Sequence, residues 1–371
     1  MKTFFNLIQE VQKKERCHKC GGCVTFCSAI NYGALALDEE GKPFYKDIEK
    51  CIECGICYMI CPETHELDEE IKKKAEWSSP AGRIISTSVS RAKDLIIREN
   101  GTDGGVVTAI LLHLFDTGRI NGAVVSKTSE KGRTPWLATT REEIMDSAGS
   151  HFDHSQGMPA FAETYSTFSP SVKALKELRK EGIEKIAFVG TPCQVNTIRK
   201  MQVLGVVPSD TIQFCFGLFC SGNYIFTGDR IKPIEEKYNF RMEDVEKINI
   251  KENFLFNLST GEQREVPLED MQQIKRTACA FCEDFSAEYA DISFGGLGAE
   301  HGWTTVITRS PLGRAVLAEA SEKVLEHFDY KHNPLYATQA EDRMIQAGRN
   351  KRAAAQKMMD LLDKKGINVI G

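Results

Sequence analysis

Read as apolar and polar positions, the chain changes character twice. Phe4, Phe5, Ile8 and Val11 in TFFNLIQEVQKK recur at near-helical spacing and predict a short amphipathic helix. No long period persists from 15 to 70, where GALAL and KPFYKDI read as two short strands around the turn DEEGK. SSPAG at 78–82 has the composition of a linker and marks a boundary. Beyond it, strand and helix patterns alternate. RIISTSV, GAVVSK, KIAFVG and TIQFCFGLFC read as strands. RAKDLIIREN, GGVVTAILLHLFDTG, SVKALKELRKEG and QVNTIRKMQVLG read as helices, two of them stopped by Gly118 and Gly182. Such alternation predicts a largely parallel sheet. Residues 246–268 alternate with the shorter period of antiparallel strands, and two helices fill 311–371. The expected fold class is therefore mixed α/β, with a small unit over 1–77 and a larger α/β domain over 83–371.

Composition narrows the function. The 371 residues are 42% apolar and 27% charged, ordinary for a globular protein, with net charge −5. A pI near 6.0 argues against a nucleic-acid partner, which needs a basic surface. The longest apolar run, VVTAILLHLF, is shorter than the roughly 18–20 residues of a membrane span. MKTFFNLIQEVQKKER has no cleavable signal pattern. Thirteen cysteines in such a chain point to a reducing compartment and to metal rather than disulfides. The expected location is cytoplasmic, free or at the periphery of a membrane complex.

The strongest chemical signal is a pair of runs, CHKCGGCVTFC from Cys17 and CIECGICYMICP from Cys51. Each spaces four cysteines as C-x2-C-x2-C-x3-C, the bacterial ferredoxin pattern, in which the fourth cysteine ligates the other cluster. The spacing assigns Cys17, Cys20, Cys23 and Cys61 to one 4Fe–4S cluster, and Cys51, Cys54, Cys57 and Cys27 to a second. Ser28 stands where the second run has Pro62, which removes no ligand. Gly21, Gly22 and Gly55 leave room for backbone N–H groups near cluster sulfurs. Structural zinc would explain paired CxxC motifs but not two complete eleven-residue runs. Residues 1–77 are thus expected to be a two-cluster ferredoxin domain.

Five cysteines remain. Cys279 and Cys282 have ligand spacing, Cys193 follows a strand in VGTPCQ, Cys220 ends another, and Cys215 lies within that strand between Phe214 and Phe216. Spacing leaves three readings open: a third cluster, a redox CxxC, or buried thiols. Two strand–turn–helix segments, NGTDGGVVTAILLHL and VGTPCQVNTIRK, offer helix N-termini suited to phosphate. GGLGAEHG at 295–302 imitates a dinucleotide fingerprint, but His301 takes its last glycine position and the strand WTTVITR follows, so a Rossmann site is rejected.

DGGVVTAILLHLFDTGRINGAVV, FVGTPCQVNTIRKM, GLFCSGN and CAFCEDFSAEYADISFGGLGAEHGWTTVITR, in this order, resemble the beta subunits of coenzyme F420-dependent hydrogenases and dehydrogenases over about 82–356. The resemblance implies FAD and a third 4Fe–4S cluster beside it, with Cys193, Cys220, Cys279 and Cys282 as its ligands by position. It implies Gly104, Gly105 and Thr108 along the FAD phosphates, Thr191, Gln194 and Asn196 near the flavin, and Gly296, Gly298, His301 and Trp303 on the far side, with His301 placed for catalysis. Asp103 stands where the family usually has Ser, and a carboxylate suits a pyrophosphate poorly. Coenzyme F420 would be the substrate. A flavin is the physical link between a hydride donor and one-electron clusters. A polyanionic coenzyme needs cations, for which Lys127, Lys131, Arg133 and Arg309 are available; His151 and His154 are further loop groups. The implied partner is a redox subunit of a hydrogenase, heterodisulfide reductase, formate dehydrogenase or membrane dehydrogenase complex.

Overall fold

A computed structural model describes the chain apart from residues 31, 39–40, 130–131, 150–170, 177–181, 227 and 366–371. At the N-terminus, α1 (Phe4–Leu7) is capped by Thr3 and continues as a π-helical turn to Gln12. Its apolar side, Phe4, Leu7 and Val11, packs on Val24, Cys27, Cys57 and Tyr58. The two cysteine loops turn into helices α2 (Gly22–Ala29) and α3 (Ile56–Met59). Each turn is made by a left-handed glycine, Gly21 at φ +84° and Gly55 at φ +74°, a conformation that costs other residues energy. Strands β1 (Leu35–Leu37) and β2 (Pro43–Tyr45) form the expected antiparallel hairpin. Helix α4 (Asp68–Lys74) opens with acids and closes with lysines, as its dipole favours.

The body begins with β3 (Ser86–Ala92), α5 (Leu95–Asn100), α6 (Val106–Asp116), β4 (Gly122–Ser129), β5 (Gly132–Ala138) and α7 (Arg141–Asp146). It continues through β6 (Ile186–Gly190), α8 (Pro192–Leu204), β7 (Ile212–Leu218) and α9 (Gly228–Tyr238). A separate antiparallel sheet of β8 (Val245–Ile250), β9 (Asn253–Leu258) and β10 (Gln263–Pro267) follows, then β11 (Ile292–Gly295), β12 (Thr304–Thr308), α10 (Pro311–Lys323), β13 (Leu325–His327) and α11 (Tyr336–Lys365).

The large sheet has the order β13-β3-β12-β11-β7-β6-β4-β5. Only its centre, β11-β7-β6-β4, is parallel; the other pairings are antiparallel. The largely parallel sheet expected from alternation is therefore mixed. Periodicity identifies a strand but not its direction, and β5 and β12 follow β4 and β11 after short connections that leave no room for a crossover helix. Three helix expectations also change. In RAKDLIIREN, Arg91 and Ala92 complete β3, and the helix starts after the Asp94 cap. Of SVKALKELRKEG, Ser171–Lys176 is a 3-10 segment and 177–181 lie outside the described residues. In the span expected to be filled by two helices, Leu325–His327 form β13 instead.

Strand β6 is buried throughout. Its Ala187 and Val189 join a core with α6 residues Ile110 and Leu114 and α10 residues Val316 and Leu317. Ile186 and Phe188 face the other way, onto α8 residues Val195, Ile198 and Met201. Phe26 and Ile60 of the cysteine unit belong to that second core. Lys200 of α8 is wholly buried and binds the same unit, through Asp68 Oδ1 at 2.8 Å and the Cys61 carbonyl at 3.1 Å. No helix among the described residues is long and apolar enough to cross a membrane.

Candidate functional site

A cavity of about 950 Å³ lies at the ends of the parallel strands, between the large sheet, the small sheet and α11. Gly101 to Asp103, then Gly105 to Thr108, form one wall where α6 begins. Gly105 is the N-cap, at φ +70° and with no side-chain cap, so the first N–H groups of α6 are left for a ligand. An added Cβ would sit 2.5 Å from the Ile97 carbonyl oxygen, so only glycine fits there. Leu111, Val189, Leu218 and Phe294 make the cavity's apolar lining, and its size suits a cofactor.

The cysteines gather in three sets. The charges of Cys20, Cys17, Cys57 and Cys61 act on Cys23, and those of Cys54, Cys51 and Cys27 act on Cys57. One hollow is lined by Cys17, Cys20, Cys23 and Cys61, with Cys57 at its side. A second is lined by Cys27, Cys51, Cys54 and Cys57. These are the two crossed sets that the spacing predicts. Among the described residues no three His, Cys, Asp or Glu side chains converge as a single ion would require. A sulfur set around a hollow is the arrangement an extended cluster needs.

The third set comes from three separate stretches. Cys193 feels Cys282, Cys20 and Cys220, while Cys220 feels Cys279 and Cys282. Cys193 thus adjoins both its own set and Cys20 of the first. Burial pushes the Cys220 thiol up to about 11. Burial would also raise Cys279, but hydrogen bonds from His18 and the Asn223 N–H, the latter at 3.2 Å, bring it down to about 7. His18 Nε2 lies 2.6 Å from Glu63 Oε1, and Arg16 Nε donates to Glu63 Oε2 at 2.8 Å. His18 is therefore tied both to the loop behind Cys61 and to Cys279. Cys215 is apart, wholly buried in β7.

Of the residues expected around a flavin, Gly105, Thr108, Thr191 and Gly296 line the cavity. The other six do not. Gly104 backs onto Arg91 and the Gly302 carbonyl. Gln194 is 1% exposed and caps α8, its Oε1 accepting from the Thr191 N–H at 2.9 Å. Asn196 is on α8 with its Oδ1 buried and, among the described residues, without a hydrogen-bond partner. Gly298 lies against the Ala340 backbone of α11, Trp303 stacks under Arg91 at 4.2 Å, and His301 is exposed. Asp103 lines the wall, but its Oδ1 turns to Asn249 at 3.2 Å and Lys251 at 3.7 Å. Burial raises its pKa despite those partners.

Among the cations, Arg133 lines the cavity, held to the Ser126 carbonyl at 2.8 Å, while Lys127 covers the Trp136 ring at 3.1 Å. Arg309 is 2% exposed and ties together Ser293, Ala81 and Ser286, so it is a buried rivet rather than a pocket cation. Lys131, His151 and His154 lie outside the described residues. Sequence reasoning missed Lys251 and the α11 residues Arg343, Gln346, Ala347 and Asn350. The signal was available: 343, 346, 347 and 350 form one helical stripe that is polar where a packing face would be apolar.

Thiol sets ranged behind a deep cavity define the class: an iron–sulfur redox protein. A 4Fe-4S dicluster domain matches residues 9–62. The beta subunit N-term and C terminus of coenzyme F420 hydrogenase/dehydrogenase match residues 87–161 and 183–332. The chain is 33% identical over 250 residues to a coenzyme F420 hydrogenase subunit beta of Methanococcus voltae, covering 66% of this chain and 83% of that one. It is 28% identical over 325 residues to a coenzyme F420-dependent sulfite reductase of Methanocaldococcus jannaschii, covering 83% of this chain but 46% of that longer one. A chain of the F420-reducing [NiFe] hydrogenase complex from Methanosarcina barkeri shares the fold, at TM-score 0.66 and 24% identity over 79% of this chain and 97% of that one. The chain belongs to the coenzyme F420 hydrogenase/dehydrogenase beta subunit family.

Proposed function

We propose that the chain is the subunit of a coenzyme F420-dependent oxidoreductase that exchanges a hydride between coenzyme F420 and bound FAD. It then passes single electrons through three 4Fe–4S clusters to a partner redox subunit, or runs in reverse. The observation that carries this reading is serial order. The cavity touches Cys220; α8, which carries Cys193, brings Thr197 Oγ1 to 3.7 Å from Cys20 Sγ; and Cys57 of the second set lines the hollow of the first. When bound, the flavin supplies conversion between a hydride and single electrons, and the clusters supply one-electron carriage.

The chain's own residues bind and orient. The first N–H groups of α6, opened by Gly105, would hold phosphate, and Thr108 adds a hydroxyl. Gly296 keeps the wall beside Asp103 thin, since a side chain there would collide with the Asp103 carboxylate. Leu111, Val189 and Phe294 exclude water. Arg133 in the wall and Arg343 at the rim are the cations for a polyanionic substrate. Cys17, Cys20, Cys23 and Cys61, then Cys27, Cys51, Cys54 and Cys57, would hold the two N-terminal clusters.

A second reading changes only the acceptor. The similarity to part of an F420-dependent sulfite reductase favours a reductase centre for another substrate downstream of the same site. Anaerobic reconstitution with FAD, iron and sulfide, followed by titration with reduced coenzyme F420, tests the proposal. Bleaching of flavin absorbance and about twelve iron atoms per chain are expected. No bound flavin, or bleaching by reduced ferredoxin alone, refutes the F420 assignment; about eight iron atoms refute the third cluster.

A further inference from the structure

Helix α11 lies beyond the residues matched to the family, 183–332, yet it reaches the third sulfur set. Lys351 Nζ donates to the Cys220 carbonyl at 2.7 Å and to the Asp284 carbonyl at 2.8 Å. The Cys282 thiol donates to that same Asp284 carbonyl at 3.5 Å. One ammonium thus joins the segment that ends at Cys220 to the segment that carries Cys282. Its charge acts on Cys282, Cys220 and Cys279 together.

The other charges facing these sulfurs are Lys275, His18, Asp284 and Glu63. Lys275 packs its stem against Gly222. His18 is paired with Glu63, which offsets its charge. Lys351 is the cation held in place by two carbonyl oxygens.

This inference rests on the reading that Cys193, Cys220, Cys279 and Cys282 hold a cluster. We propose that Lys351 is a positioning residue that clamps the Cys220 and Cys282 segments and makes that cluster more easily reduced than its thiolates alone would allow. Adding an electron to a thiolate-bound cluster adds negative charge, and an ammonium within a few residues' reach in a partly buried site favours the reduced form. The cluster nearest the cavity would then be the favoured first stop for an electron leaving it.

The test is an anaerobic potentiometric titration of the reconstituted full chain, read by electron paramagnetic resonance, with iron counted in each sample. Wild type is compared with Lys351→Met and Lys351→Arg. In Lys351→Met at full iron content, one of the three cluster transitions should move to lower potential. The shift expected is at least about tenfold in the one-electron equilibrium, about 59 mV. The other two transitions should stay in place, and Lys351→Arg should restore the first. Loss of one cluster in Lys351→Met alone, with wild-type iron and potential in Lys351→Arg, also supports a charge-dependent clamp. Unmoved potentials at full iron content overturn the proposal, as does loss of the cluster from both variants. Wild type with about eight iron atoms is a different failure: it removes the third cluster, and this proposal with it.

Discussion

Replacing Lys200 with methionine tests how the cysteine unit is fixed to the sheet. The lysine side chain is wholly buried and Asp68 is 23% exposed. Methionine keeps most of the stem, so the loss is mainly polar. Removing one partner of a buried ion pair costs about 3–5 kcal/mol, because the other charge is left behind. Asp68 keeps His65 Nδ1 at 3.0 Å, which places the cost at the lower end of that range. The Cys61 carbonyl loses its ammonium as well, worth about 1 kcal/mol. The expected destabilisation is therefore about 3–4 kcal/mol. Denaturant unfolding of the anaerobic holoprotein measures it, with proteolysis at the 78–82 linker as a local readout. Asp68→Asn in both backgrounds closes a double-mutant cycle, and a coupling of at least about 1 kcal/mol is expected. A Lys200→Met variant within about 0.5 kcal/mol of wild type would refute the reasoning. So would Asp68→Asn costing the same with and without the lysine.

Two further changes probe the cavity wall. Gly105→Ala forces a left-handed alanine, at about 1–2 kcal/mol, and sets its methyl 2.5 Å from the Ile97 carbonyl oxygen. It should weaken FAD retention at least tenfold in equilibrium dialysis, and unchanged retention would argue against phosphate at this helix end. Asp103→Asn should stabilise the protein at neutral pH. Burial raises this carboxyl above its ordinary 3.8, so the stability it contributes is complete below that value and is lost as pH rises through the higher folded pKa. The gain in melting temperature over wild type should therefore be larger at pH 7 than at pH 3, below the ordinary carboxyl value. A gain independent of pH would mean that the carboxyl is not the cause.

Local pattern carried much of this fold. The short apolar run of KIAFVG and the helical pattern of QVNTIRKMQVLG placed β6 and α8 to within two residues, because those segments carry their own local signal. The two four-cysteine sets at the N-terminus were legible because their ligands lie within runs of fixed spacing. The third set was not, since Cys193, Cys220 and the pair Cys279–Cys282 are joined only by tertiary structure; position within the resembled family brought them together. Spacing also says nothing about exposure. Arg309 follows a strand like any loop cation, yet its guanidinium is sealed among Ser286, Ser293 and the Ala81 carbonyl. The polar stripe of α11 passed unread because a helix near the chain end looks solvated until a cavity is found beside it.

Helix α8 shows why the serial arrangement is rigid rather than incidental. Cys193, Thr197 and Lys200 are spaced i, i+4, i+7 and so share one face. Each touches a different part of the path. Cys193 belongs to the third set and adjoins Cys20. Thr197 Oγ1 lies 3.7 Å from Cys20 Sγ, and its methyl fills the space beside Gly22, where a Cβ would approach to 2.5 Å. Lys200 holds the backbone of Cys61. A single helix therefore fixes the distance between the set beside the cavity and the first set of the N-terminal unit. Gly22 is thereby accounted for by the close approach of α2 to α8. Any change that tilts α8 must alter both sulfur sets at once. The buried Lys200–Asp68 pair is the contact placed to resist that tilt, which is why its removal should loosen the unit without altering a single cysteine side chain.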